Sequence, residues 1–111
     1  MAKLLRKELE LRKSHFGNIA FGGYSLNILL ALLSSGSGKR HPSVTEMATL
    51  GNMSPTTGLR WIEVLHDKGF IKIAHNDDDP RGKSIMLTQR GKADMDSYLG
   101  SVAKMRKLAL V

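Results

Sequence analysis

The chain has no cysteine, so a disulfide framework, thiolate zinc ligation and cysteine nucleophiles are excluded, and a reducing compartment suits it. Aromatic residues make up only 5% of the 111 residues, too few for a platform on which successive single-stranded bases could stack. Acidic residues are the scarcer charge: 10 Asp and Glu stand against 17 Lys and Arg, a net charge of +7. That surplus on a short chain favours a polyanionic partner, nucleic acid before an anionic membrane surface. No apolar run approaches the roughly 20 residues that a bilayer-spanning helix needs. The longest, Ile28 to Leu33, suits part of a buried helix. The N-terminal MAKLLRKELELRK is basic but is not followed by an uninterrupted apolar segment, so no secretory signal is read there. The expectation is a cytoplasmic protein without membrane association.

Machinery for chemistry is also missing. No nucleophile elbow, HExxH motif or dinucleotide fingerprint gathers the Ser, His and Asp residues. The GSGK at 36–39 would need Gly at 33 and Ser or Thr at 40 to be a phosphate-binding loop, and the chain has Leu33 and Arg40. His15, His41, His66 and His75 are scattered, and Asp77-Asp78-Asp79 lacks the alternating ligands and distal Glu of a calcium loop. No catalytic residue, cofactor or metal is expected.

What is present is a single domain, residues 1–111, with an ordinary apolar fraction of 41%. Residues 2–16 contain no Gly or Pro and are rich in strong helix formers, with Glu8 and Arg12 spaced for i,i+4 support. Their narrow apolar stripe, Leu5 and Leu9 among it, suits a dimerisation helix over 1–16. Tyr24 to Ser34 is apolar on nearly all sides, which predicts a central core helix. A Gly- and Ser-rich loop over 34–42 ends it.

Ser43 with Glu46 three residues later is a capping box, and the helix it opens, Val44 to Leu50, stops at Gly51-Asn52. Ser54 as N-cap and Pro55 at the first helical position open another helix, 54–68, ended by Gly69. Gly58, Ile62 and Leu65, joined by Trp61, share its inward face, leaving Thr56, Thr57, Arg60 and Glu63 pointing elsewhere. Phe70 to His75 and Ser84 to Thr88 alternate enough to be paired strands around the polar tip 76–83. Residues 89–111 form a last helix, with Met95, Leu99, Val102 and Met105 along one side. The fold class is therefore mainly α with a small β-hairpin. It is a winged helix-turn-helix over 43–88, flanked by N- and C-terminal helices.

In that layout the helix 54–68 enters the major groove and the wing 76–83 lies on the backbone or minor groove. Ser54, at the helix N-terminus, helps present free backbone N–H groups to a phosphate. Thr56 and Thr57 offer hydroxyls for phosphates or base edges, and methyls for thymine. Arg60 can form a bidentate bond to guanine, worth about 1–3 kcal/mol of discrimination. Arg81 and Lys83 are the wing cations, with the Asp77–Asp79 acids expected to hold the loop or pair with Arg81. The partner is double-stranded DNA.

From about Ser43 to Leu99, half of the chain, the sequence resembles the MarR family of winged-helix transcriptional regulators. The matching residues are Met53-Ser54-Pro55-Thr56-Thr57, then Arg60, Ile62, Leu65 and Gly69. In the wing they are Asp79-Pro80-Arg81, followed by Leu87-Thr88 and Gly91. The resemblance implies a homodimer on a palindromic site, with the family's wing-arginine role on Arg81. Gly58 departs from the β-branched apolar residue usual in the family, and Leu59 from a small polar one. Family members often bind small aromatic acids, but no residue set here carries that over, so any small-molecule effector is unknown. Leu5 and Leu9, with Leu99, Val102 and Leu108, are the expected dimer surface.

The expected function is sequence-specific DNA binding by a transcriptional regulator. The alternatives are a winged-helix protein-interaction module and a phage- or plasmid-type replication DNA-binding protein.

Overall fold

A computed structural model describes residues 1–17, 23–35, 41–51, 53–75, 80 and 82–109. Among the described residues, five helices and one hairpin follow in the order α1 (Ala2–Phe16), α2 (Tyr24–Ser34), α3 (Val44–Ala48), α4 (Pro55–Asp67), β1 (Ile71–His75), β2 (Lys83–Leu87) and α5 (Gln89–Ala109). The helix-plus-hairpin expectation describes this arrangement, with small shifts at element ends that have physical causes.

Helix α2 is the central element: Ile28, Leu29 and Leu32 are buried, and it packs on α4, α5 and β2. Its near-continuous apolar composition leaves little choice, since such a helix is stable in water only when covered. Terminal helices α1 and α5 lie against one another, and α1 meets the core through the half-buried Leu11 and, at its end, the buried Phe16. The Phe16 ring meets Phe70 and Tyr98 edge-on, with centroids 5.8 and 5.3 Å away. Helix α1, helix α5 and the connection between α4 and β1, distant in sequence, are thereby joined at one aromatic cluster.

The sequence spacing pairs Glu8 with Arg12, but Glu8 Oε1 instead accepts from Arg106 Nε at 2.7 Å, tying α1 to α5. That hydrogen bond, with the charge of Arg106 behind it, holds the Glu8 carboxyl below its ordinary 4.5, and Arg106 in turn keeps its proton more tightly. Val102, expected at the dimer surface, is buried, and Leu99 packs against the same core. Leu5, Leu9 and Leu108 stay exposed.

The hairpin is antiparallel, with Ile73 opposite Ile85 and Ala74 opposite Ser84. Strand β1 begins one residue later than the alternation suggests. The amide of Phe70 donates instead to the Leu65 carbonyl at 3.0 Å, closing the end of α4 over Gly69, which has φ +82. Thr88 lies outside β2 because it caps α5, its Oγ1 accepting from Gly91 N at 2.9 Å. Near its outer end the ladder is fixed to the start of α3: Ser43 bridges Ser84, one pair in from His75–Lys83, and Ile85 N donates to the Pro42 carbonyl at 3.0 Å. Among the described residues, no helix is long and apolar enough to cross a membrane.

Candidate nucleic-acid interface

Helices α3 and α4 form the helix-turn-helix. Ser43 caps α3, its Oγ accepting from Glu46 N at 3.0 Å, and Met47 and Ala48 are buried against the rest of the domain. Gly51, at φ +65, makes the turn, a conformation that side chains with a Cβ seldom adopt. Ser54 then caps α4, with Pro55 in the first turn.

What brings the two helices together is Gly58. It is buried, and a Cβ built on it would overlap the Ala48 carbonyl group. The departure from a β-branched residue is thus the condition for the contact: glycine lets the backbone of α3 rest directly on α4. Ile62 and Leu65 continue the same face into the core, at 2% and 0% exposure. Trp61 is half-buried beside them, so the inward face is the one the sequence pattern gives.

The opposite face carries the candidate residues. Thr56 and Arg60, one turn apart, are exposed, as is Glu63, and Thr56 and Arg60 make no polar contact with other described side chains. Thr57 behaves differently. Its amide donates to Ser54 Oγ at 3.3 Å, and its Oγ1 accepts from the Ser54 hydroxyl at 3.0 Å. The two side chains form the N-terminal cap together, and Thr57 is half-buried. Ser54 and Thr57 therefore shape the start of α4, whereas Thr56 and Arg60 project from it. Lys83 is exposed at the first position of β2, opposite His75. Arg81 and the acids Asp77, Asp78 and Asp79 lie outside the described residues.

At the far end of α4 three successive carbonyls are taken by the start of α5. Arg90 Nη1 donates to Lys68 O at 2.8 Å, Thr88 Oγ1 to Gly69 O at 2.7 Å, and Thr88 N to Phe70 O at 3.1 Å. The Arg90 guanidinium also lies 4.9 Å from the Phe70 ring centroid and 3.6 Å from Asp94. Gly91 is buried where a Cβ would overlap the Phe70 carbonyl. Carbonyls at a helix C-terminus carry partial negative charge, so a guanidinium there is favourably placed. Leu87-Thr88 and Gly91 stand out in the sequence, but Arg90 does not. Its only local signal is the i,i+4 spacing to Asp94, which gives no hint of Lys68.

Between α1 and α5 runs an open groove of about 820 Å³, lined by Leu4, Leu11, Met105 and Leu108 with Lys3, Lys7 and Lys104 among its other residues. A smaller hollow of about 330 Å³ lies where α2, β2 and α5 meet, with Leu32, Ile85 and Lys92 in its wall.

No protein-family model matches this chain, and no curated protein sequence matches it significantly. Solved structures do. The YusO protein from Bacillus subtilis superposes with a TM-score of 0.77 at 22% identity, over 99% of this chain and 74% of that one. A transcriptional regulator homologue from Pyrococcus horikoshii gives 0.68 at 24% identity, over 94% and 97% of the two chains. A MarR transcriptional regulator from Methanosarcina mazei gives 0.67 at 16% identity, over 98% and 76%. At such identities the likeness is one of fold: this chain has a MarR-like winged-helix fold.

Proposed function

We propose that the chain is a sequence-specific double-stranded DNA-binding transcriptional regulator, acting in the cytoplasm by occupying a site rather than by catalysis. The observation that carries this reading is the outward face of α4. A capped helix is held by Gly58 against α3, and its exposed Thr56 and Arg60 are left without partners among the described residues. A helix so mounted, with a hairpin beside it, suits the major groove and the adjoining backbone. The net charge of +7 supplies the attraction to phosphate that such docking needs. In this reading Arg60 and Thr56 read base edges. Ser54 and Thr57 present the amides of the first turn to a phosphate, and Lys83, with Arg81, meets the sugar–phosphate backbone.

The working form is a homodimer built through the terminal helices. Exposed Leu5, Leu9 and Leu108, together with the groove between α1 and α5, are the apolar surface that a second copy would cover. Two reading helices would then address half-sites about 34 Å apart, one turn of duplex. No described feature assigns a small-molecule effector.

The test is duplex binding by the full chain, first to random-sequence DNA at two salt concentrations and then to sites selected from a random pool. Salt-sensitive binding with a selected, two-fold-related consensus is the expected result. Absence of duplex binding at low salt would end this reading in favour of a winged helix that docks on protein. Light scattering should give twice the 12.2 kDa chain mass if the dimer is correct.

A further inference from the structure

Leu59 is 45% exposed, the one exposed large apolar side chain on α4, every residue of which is described. A single solvent-facing leucine is ordinary on a protein surface. Two observations set this one apart. First, Thr56, Leu59 and Glu63 are spaced i, i+3 and i+7, so they form one stripe along the helix, all three exposed, with Arg60 beside them. Leu59 thus stands within the polar face assigned to DNA, where binary patterning would place a polar residue. Second, the preceding residue fixes the helix about its own axis. Gly58 must face the Ala48 carbonyl, because no other orientation lets the two backbones approach so closely. Successive residues are turned by about 100° around a helix, so α4 cannot roll to bury Leu59 without breaking that contact.

We propose that Leu59 is a specificity-determining residue that reads thymine, its isobutyl group packing on the 5-methyl group in the major groove. Among the four bases only thymine offers a methyl group there, and an apolar side chain is the complement to it. Arg60 and Leu59, adjacent on the helix, then read different bases. The guanidinium takes the acceptor edge of guanine, and the leucine takes the methyl edge of a neighbouring thymine. This inference rests on the reading that α4 enters the major groove, and the experiment separates the two.

The full-length chain is bound to its selected duplex, and each thymidine is replaced in turn by deoxyuridine, which removes the 5-methyl group and leaves every hydrogen-bonding group in place. At one position per half-site the replacement should weaken the wild type about fourfold, the effect of one buried methyl group. Leu59→Ala should bind the thymidine duplex more weakly and show no further loss with deoxyuridine at that position. Leu59→Met, apolar and a good helix former, should keep the sensitivity. The proposal is overturned if the wild type tolerates every replacement, if wild type and Leu59→Ala lose equally, or if the selected site contains no thymine. In each of those cases the DNA-binding reading stands, because selective binding has been measured. If no duplex is preferred over random sequence, both fall together.

Discussion

Gly58 of α4 sits so close to the Ala48 carbonyl of α3 that there is no room between them for a methyl group. This contact sets the separation of the two helices in the helix-turn-helix. Gly58→Ala should therefore destabilise the domain even though alanine is the better helix former. The obstacle is backbone rather than a flexible side chain, so relief requires α3 and α4 to separate. A loss of about 1–3 kcal/mol is expected, read as a lower urea midpoint with unchanged m-value.

Arg90 closes the other end of α4. Removing its guanidinium in Arg90→Ala leaves the Lys68 carbonyl without its 2.8 Å donor and the Phe70 ring without its cation. The arginine side chain is 64% exposed, so water replaces part of what is lost. A destabilisation of about 1 kcal/mol is expected in the same denaturant assay. Arg90→Lys should recover little, because an ammonium cannot reproduce the planar fork over the ring.

The pair between Glu8 and Arg106 gives a pH signature. The folded-state carboxyl is held below its ordinary 4.5, so its contribution is present above that value and is lost as pH falls through the lower, folded-state value. Glu8→Gln should melt below the wild type near pH 7, with the gap narrowing as the pH is lowered through the carboxylate range. A gap that stayed constant down to acid would show that the ion pair is not its source.

The two kinds of DNA contact should separate in binding assays. Arg60→Ala is expected to shrink the ratio between selected and random duplex, through loss of a base-edge contact worth about 1–3 kcal/mol. Lys83→Ala should weaken both duplexes alike and lower the salt slope by about one. Equal losses on both duplexes for Arg60→Ala would remove its assigned role.

Much of the fold is legible in the sequence because its helices are opened and closed by local chemistry. Ser43 and Ser54-Pro55 announce α3 and α4, and the inward set Gly58, Ile62 and Leu65 follows from a 3.6-residue period. Local patterns do not reveal partners chosen across the fold. Glu8 has a plausible mate four residues on, yet bonds to Arg106, 98 residues away. Val102 has the spacing of a dimer-face residue, yet Tyr98 and Met95 beside it are buried and it joins them in the core. Within the candidate site, Thr56 and Thr57 are indistinguishable by residue type. Only the folded chain shows that the hydroxyl of Thr57 accepts from Ser54 while Thr56 projects freely from the cap.

Ser43 holds two positions at once: its side chain opens α3, and its backbone bridges Ser84, one pair in from the outer end of the hairpin ladder. The height at which the wing leaves the body is accordingly set at that junction and not by the hairpin's own length. Residues could be added to or removed from the hairpin's outer end and change how far it extends along a duplex. The angle between its ladder and the helix pair would stay as Ser43 sets it.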